Sequence, residues 1–150
     1  MPETTITGLT PGHPAVPEYA RLRKCMWEID PVLNNEEVEQ IVADADDWAV
    51  FIASMEDGAA VGFIEVWRRE YAEGASSSPV GYVEGWYVEP DFRCRGIGRM
   101  LIEAGEDWSR SHGCTEMASD TEIDNGGSIR AHQHLGYTEV SRNVHFLKEL

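Results

Sequence analysis

The fold is decided by residues 80–108, which read VGYVEGWYVEPDFRCRGIGRMLIEAGEDW. Residues 80–88 are rich in β-branched and aromatic side chains, which predicts a buried strand. Pro90 ends that strand, because proline lacks the N–H group that a β-ladder needs. From Ile97 to Trp108 apolar side chains recur at helical spacing. The stretch therefore predicts a strand, a glycine-containing loop and an amphipathic helix.

The loop between this strand and this helix has the composition of an anion-binding site. A helix N-terminus presents unpaired N–H groups and the positive end of the helix dipole. Gly96 and Gly98 let the backbone approach a phosphate closely, and Arg93 and Arg95 add positive charge. The spacing matches neither the Walker A motif nor the six-residue Rossmann fingerprint. By itself the loop is either a pyrophosphate-binding turn or an ordinary strand–helix turn with a basic rim.

The net charge of the chain limits the classes of partner that it can bind. It has 27 acidic and 12 basic residues among 150, and a formal net charge of −15. Nucleic acids and anionic membranes bind basic surfaces, so the sequence argues against both. It favours a cationic ligand or, more simply, a highly soluble protein. The N-terminal residues lack the basic and apolar regions of a signal peptide, and no apolar run is long enough to span a bilayer.

The cysteines indicate the cellular compartment in which the protein works. The chain has three, Cys25, Cys94 and Cys114, without paired spacing. This pattern predicts neither a disulfide framework nor a metal site. We therefore expect a cytoplasmic protein that binds no metal.

The whole chain, residues 1–150, predicts one α/β domain (α+β in some schemes). Strands are expected at 4–9, 48–55, 60–68, 80–88 and 116–120, with one or two more at 138–148. Helices are expected at 18–29, after a cap at Asn34 or Asn35, at 97–113 and at 128–135. The Asp57-Gly58 hairpin joins early strands, and helical crossovers join later ones. The sheet should be mixed and mostly antiparallel, with about six or seven strands and helices on both faces.

The decisive stretch and the segments after it resemble the GNAT superfamily of N-acetyltransferases. The loop is similar to the acetyl-CoA-binding motif of that family, and Glu116–Asp120 is similar to its next strand. Asn125, Ala131 and Leu135-Gly136-Tyr137 match its following Asn…Ala…Leu-Gly-Tyr/Phe segment. The resemblance covers about Trp48 to the C-terminus. It implies the GNAT fold, with a central pyrophosphate loop and acetyl-CoA as cosubstrate.

The resemblance also implies which residues hold the cosubstrate. In the family, the strand before the loop splays from its neighbour, and its unpaired main-chain groups bind the pantetheine arm and the thioester. His132 stands where many members have a tyrosine that protonates the leaving thiolate. A thiol pKa of ~8.5 also lets the thiolate leave unaided, so His132 is either an acid or a polar neighbour of the cofactor. The implied cofactor-binding residues are Trp86, Tyr87, Val88, Arg93, Cys94, Arg95, Gly96, Ile97, Gly98, Arg99 and Asn125.

Two carboxylates are candidates for chemistry on an amine. An alkylammonium group has a pKa of ~10.4 and arrives protonated, so a carboxylate must bind it and take its proton, directly or through one water. Glu84 interrupts an apolar strand, where burying a carboxylate costs free energy unless the group is paired or has a function. Asp120 ends a predicted strand at its carboxyl end, where sites of open α/β sheets collect. For each residue the alternative is a structural ion pair or a cap.

Within the superfamily, five short segments resemble aminoglycoside 6'-N-acetyltransferases. They are residues 22–27, 69–71, 77–80, 84–85 and 116–121. These enzymes acetylate the 6'-amino group of drugs such as kanamycin and tobramycin and so confer resistance. The resemblance implies that the drug is contacted by Trp27, Tyr71, Glu84 and Asp120, with Tyr71 reaching it across a homodimer interface. It also implies that the acetyl group passes directly between the two bound substrates.

Residues near both ends of the chain either support this resemblance or depart from it. Trp27 offers a stacking face for a sugar and a cation. The acids between Glu36 and Asp47 form either a negative mouth that concentrates a cation or a solvated helix face. Phe146 stands where near relatives have a tyrosine, and Ser141 stands where they can offer an acidic drug contact. Two other functions remain open: acetylation of a polyamine or another small amine, and a non-catalytic acetyl-CoA-binding module.

Overall fold

The computed structural model describes residues 3–150. The strands are β1 Thr4–Gly8, β2 Trp48–Met55, β3 Ala60–Arg69, β4 Val80–Val88 and β5 Met117–Ser119. The helices are α1 Val16–Met26, α2 Pro31–Ala43, α3 Ile97–Ser111 and α4 Gly126–His134, with a 3-10 turn at Pro90–Phe92. The strands lie in chain order; β1 to β4 pair antiparallel, and β5 joins β4 in parallel. The predicted mixed sheet is confirmed.

Helices cover both faces of the sheet, as predicted. On one face α1 and α2 bury apolar side chains against β2 and β3; these residues include Tyr19, Leu22, Val38, Val42, Val50, Ile52 and Phe63. On the other face α3 does the same against β3 and β4, with Ile97, Leu101, Ile102, Ile64, Val66 and Val83. Each fully buried side chain of this size contributes about 1.5–3 kcal/mol. None of the helices within residues 3–150 is both long and apolar enough to cross a bilayer.

The start of α2 differs from the prediction. Asp30, rather than Asn34 or Asn35, caps the helix, and its side chain accepts hydrogen bonds from the N–H groups of Val32 (2.9 Å) and Leu33 (3.3 Å). The helix predicted over 18–29, with Pro31 as the residue that stops it, ends earlier, at Met26. Pro31 instead occupies the first turn of α2, where its fixed φ fits and its missing N–H costs nothing. Asn34 is instead buried and donates a hydrogen bond to the Ala20 carbonyl at 2.9 Å.

The C-terminal segment also differs from the prediction. The strands expected within 138–148 are absent: residues 138–150 have no helix or strand, and the sheet has five strands within the described chain. A strand exists only where a neighbour completes its ladder, and no strand of the described chain pairs with this segment. Its large apolar side chains are exposed: Val140, Val144, Phe146, Leu147 and Leu150.

Candidate active site

A β-bulge places Glu84 at the site. Glu65 of β3 pairs with Gly85, but the next residue, Val66, pairs with Val83, so Glu84 is an extra residue on β4. Val83 packs into the core beneath α3, whereas Glu84 lines a cavity on the α1 and α2 side of the sheet. Bulges re-aim side chains in this way and are common beside active sites.

Arg69, at the end of β3, holds the Glu84 carboxylate. Its Nε donates a hydrogen bond to Glu84 Oε1 at 2.9 Å, and its guanidinium carbon lies 3.6 Å from the centroid of the Tyr82 ring. Burial raises the pKa of Glu84, the Arg69 charge opposes that rise, and the nearby Asp120 charge adds to it. Arg69 was not among the predicted site residues. Its position at the end of the strand paired with β4 is the signal that would have found it.

Asp120 lies beside Glu84. It is exposed and directly follows β5. The Tyr82 hydroxyl donates a hydrogen bond to Asp120 Oδ2 at 2.9 Å, while the Tyr82 ring lies under the arginine that holds Glu84. The structure therefore brings the two predicted carboxylates together through one tyrosine and one arginine.

An acid-rich cavity of about 480 Å³ opens beside Glu84. Trp27 lies against β4 in this cavity because Gly85 has no side chain: a Cβ there would stand 2.5 Å from Trp27 Cη2. Of the predicted acidic run, Glu37 and Asp44 reach the cavity. Its lining residues are Arg23, Trp27, Glu37, Gln40, Ile41, Asp44, Trp48, Glu65 and Glu84. Four carboxylates and two tryptophan rings with one arginine suit a cationic sugar better than an anion.

Tyr71 lies apart from Trp27. Its side chain is 69% exposed and lines a second cavity of about 530 Å³, together with Trp67, Arg69 and Glu70. Arg69 connects the two cavities, since it lines the second while holding Glu84 of the first. Within one chain, Trp27, Glu84 and Asp120 thus belong to one site. Tyr71 lies outside that site, in the second cavity beyond Arg69.

The second half of β4 has a free side. Strand β5 pairs only with residues 81–83, so from Gly85 to Val88 the strand pairs with β3 alone in the described part of the chain. The residues implied for the pantetheine arm, Trp86, Tyr87 and Val88, lie in this half. Trp86 Nε1 donates to the Gly98 carbonyl at 3.1 Å and so fixes the loop against the strand.

The loop between β4 and α3 presents an uncapped helix N-terminus. Gly96 is the N-cap residue, at φ +83°, and no side chain caps the helix. The first helical hydrogen bond runs from Met100 N to Gly96 O at 3.1 Å, which leaves the N–H groups of residues 97–99 without intrahelical partners. Open space surrounds the position where a Gly96 side chain would point.

Arginines surround this N-terminus. Arg93, Arg95 and Arg99 are exposed, as is Cys94. Arg93 Nε donates to the Val88 carbonyl at 2.7 Å, so this arginine also ties the loop to the end of β4. Free N–H groups, exposed guanidinium groups and open space together fit a diphosphate.

Helix α4 carries the last two predicted residues. Asn125 caps the helix: its Oδ1 accepts a hydrogen bond from Ser128 N at 3.1 Å. His132 Nδ1 lies 2.7 Å from the Ser128 carbonyl, and Nε2 lies 2.7 Å from the Ser119 hydroxyl. A carbonyl only accepts, so we assign the proton to Nδ1, and Nε2 then accepts from Ser119. His132 thereby joins α4 to the end of β5, and its role as an acid stays a prediction.

Comparison with known proteins agrees with this architecture. Residues 16–137 match the model of the acetyltransferase (GNAT) family. The chain belongs to this family. Its relatives include the aminoglycoside N(6')-acetyltransferase type 1 of Stenotrophomonas maltophilia, which is 43% identical over 144 residues, 95% of this chain and 91% of the relative. The enzyme of the same name from Salmonella typhimurium is 42% identical over 132 residues, 85% and 88% of the two chains.

A solved structure extends the GNAT comparison to nearly every residue. AAC(6')-Iy, in complex with the bisubstrate analogue CoA-S-monomethyl-acetylneamine, superposes with a TM-score of 0.90 at 37% identity and covers 99% of each chain. The predicted GNAT fold is therefore confirmed, with five strands within residues 3–150 in place of the six or seven expected.

Proposed function

We propose that this chain transfers the acetyl group of acetyl-CoA to the 6'-amino group of an aminoglycoside, and that it works as one domain of residues 1–150. One observation carries the proposal. The bulged Glu84 stands between the free side of β4 and an acid-rich cavity lined by tryptophan. AAC(6')-Iy, with its bisubstrate analogue of coenzyme A and an acetylated neamine, supports the choice of both substrates. The cellular consequence would be aminoglycoside resistance.

In this proposal the loop at α3 and the end of β4 bind the cosubstrate. The N–H groups of residues 97–99 and the side chains of Arg93, Arg95 and Arg99 hold the diphosphate. Main-chain groups of residues 86–88 hold the arm, and the Asn125 amide N–H₂ group, free of the cap hydrogen bond, is available to it. Acetyl-CoA supplies an acetyl group activated as a thioester, and no metal takes part.

Glu84 and Asp120 act on the amine. Both carboxylates attract the ammonium group, and Glu84, whose pKa burial raises, accepts its proton directly or through one water. Arg69 fixes the direction of the Glu84 carboxylate, since it binds one oxygen and leaves the other for the amine. The amine nitrogen then attacks the thioester carbon while both substrates are bound. His132 can protonate the departing sulfur only from Nε2, because the Nδ1 proton is held by the Ser128 carbonyl, and Nε2 contacts the Ser119 hydroxyl.

The cavity binds the rest of the sugar. Trp27 stacks on the ring that carries the reacting amine, and Glu37 and Asp44 attract the other ammonium groups. The test is thiol release from acetyl-CoA with kanamycin, tobramycin, spermidine and a lysine peptide, followed by mass spectrometry and NMR to locate the new acetyl group. We expect turnover of both drugs with acetylation at the 6' nitrogen.

Two outcomes of this assay would contradict the proposal. Acetylation of spermidine without turnover of either drug would assign the chain to the polyamine acetyltransferases. Tight acetyl-CoA binding without thiol release to any amine would make it a binding module.

We also propose that the working form is a cytoplasmic homodimer. Cys25, Cys94 and Cys114 are free, which fits a reducing compartment, where acetyl-CoA is also found. The 13 residues of segment 138–150 expose five large apolar side chains and pair with no strand in the described chain. A second copy of this chain would bury those side chains and complete a ladder. Tyr71, exposed at the second cavity, is then free to approach the partner's site.

Removing residues 138–150 is expected to give a monomer, because the exposed apolar side chains of that segment leave with it. Light scattering after size exclusion would compare this shortened chain with the full chain. Exchanging Val144 and Phe146 for aspartate tests the same surface without shortening the chain. A full chain that is monomeric at micromolar concentration, or a shortened chain that remains dimeric, would rule out this interface.

A further inference from the structure

A buried ion pair lies under the acceptor cavity. Arg23 of α1 is 4% exposed and Glu65 of β3 is 3% exposed, and Arg23 Nε stands 3.2 Å from Glu65 Oε2. Arg23 Nη2 also donates a hydrogen bond to Glu37 at 2.7 Å. An apolar pair of equal volume at such a position is often as stable as an ion pair, so stability alone gives a weak reason for charges here.

The pair is incompletely satisfied. Arg23 Nη1 is buried and has no hydrogen-bond partner among residues 3–150, and Arg23 Nε and Glu65 Oε2 approach each other without hydrogen-bond alignment. A buried donor without a partner costs about 1–3 kcal/mol. Such groups call for an explanation, and a ligand that completes them is one.

Both residues line the cavity that also contains Trp27 and Glu84. Glu65 pairs across the sheet with Gly85, the residue after Glu84, so its carboxylate lies next to the reacting position. The floor therefore holds an acceptor and an unused donor close together, and both atoms are covered in the free protein. A sugar ring presents the matching groups, because each hydroxyl both donates and accepts. A linear polyamine in its ammonium form only donates and leaves Arg23 unmatched.

We propose that the Arg23–Glu65 pair determines specificity for a hydroxylated amino sugar. Glu65 accepts a hydrogen bond from a hydroxyl or ammonium group beside the reacting amine, and Arg23 Nη1 donates to a neighbouring hydroxyl oxygen. The inference rests on the proposed function and adds the groups that distinguish an aminoglycoside from a simple amine.

The electrostatics agree with this geometry. Burial raises the pKa of Glu65 to about 7 and Arg23 opposes the rise; Tyr19 of α1, Glu37 of α2 and Glu84 of β4 also face it. The carboxyl group therefore keeps its proton to a higher pH in the free protein than an ordinary glutamate does. A bound ammonium or hydroxyl donor favours the ionised form, so the sugar should release a proton when it binds.

The test compares Glu65→Gln with Glu39→Gln, which removes the same charge from an exposed position on α2 outside the cavity. We expect Glu65→Gln to lower kcat/KM for kanamycin about 10- to 100-fold, through KM, because it removes a charged hydrogen bond. The KM for acetyl-CoA should not change. Calorimetry in two buffers at pH 7 should show fewer protons released on kanamycin binding by Glu65→Gln than by the unaltered chain, and this difference should vanish by about pH 9.

A purely structural role predicts different results. It would lower the melting temperature and change both KM values without altering proton release, which would overturn the proposal. The unaltered chain gives a second test if Glu65→Gln does not fold: a 3',4'-dideoxy analogue of kanamycin should have a kcat/KM about tenfold lower. Equal values for the two sugars would also overturn it. If the unaltered chain acetylates no aminoglycoside, the proposed function has failed instead.

Discussion

Replacing Glu84 by glutamine is expected to lower kcat/KM for an aminoglycoside by about 10²- to 10⁴-fold, the range typical of a general base, and to leave the KM for acetyl-CoA unchanged. Glutamine fits the same bulge but cannot take a proton from the ammonium group. It also withdraws a negative charge from the cavity beside Trp27. Initial rates with kanamycin at saturating acetyl-CoA would measure the loss.

The pH profile shows whether the ionised form of Glu84 is needed, and the split between kcat and KM separates the two effects. Glu84 must be ionised to accept a proton, and burial raises its pKa above the ordinary glutamate value while Arg69 opposes the rise. In the unaltered chain kcat/KM should therefore increase with pH through that raised pKa. The glutamine variant should lose this limb. Loss of the base lowers kcat at saturating kanamycin, whereas loss of charge attraction alone raises the KM for kanamycin and leaves kcat unchanged.

Glu73→Gln is the matched control, since Glu73 is exposed in the loop before β4 and lines neither cavity. It changes the net charge equally and should retain full activity. Glu84→Gln leaves Arg69 with a weaker partner, so melting temperatures must accompany the rates. If Glu84→Gln keeps full kcat/KM at every pH, Glu84 is not the base.

The sequence predicted best what local signals determine. Strands Trp48–Met55 and Val80–Val88 have the bounds expected from their side chains, and the loop and helix after β4 follow from nearby glycines and apolar spacing. The prediction that Pro31 ends the first helix was wrong, because proline suits both the end of one helix and the first turn of the next, and here it begins α2. The C-terminal segment has the composition of a strand, but a ladder depends on a neighbour that the segment itself cannot specify.

In the candidate site, too, local sequence signals predicted which residues matter but not how distant segments come together. Glu84 was predicted because an acid inside an apolar strand is unusual, yet its direction depends on the offset between β3 and β4. The Arg23–Glu65 pair bears on the site only because separate elements pack together. No local pattern reports the distance between residue 23 and residue 65. Contacts of this kind were beyond sequence reasoning.

Gly96→Ala is expected to raise the KM for acetyl-CoA about 10- to 100-fold, the cost of losing one charged hydrogen bond. At φ +83° an added Cβ costs about 1–2 kcal/mol, so the backbone shifts away from the conformation that aims the helix N–H groups at a diphosphate. The added methyl group also enters the open space beside those groups. The KM for kanamycin should stay constant, because the acceptor cavity does not include the loop.

Gly113→Ala is the control for strain. Gly113 follows the other end of α3 at φ +85°, again with open space around it, so its alanine variant should lose a similar free energy of unfolding. Chemical denaturation would check that equality. Because Gly113 lies far along the helix from residues 97–99, its variant should bind acetyl-CoA normally. Two results would mean that the diphosphate binds elsewhere: equal KM values for acetyl-CoA in the two variants, or a larger KM change for kanamycin than for acetyl-CoA in Gly96→Ala. Backbone strain is common to both ends of the helix, so strain by itself cannot weaken the binding of one substrate and spare the other.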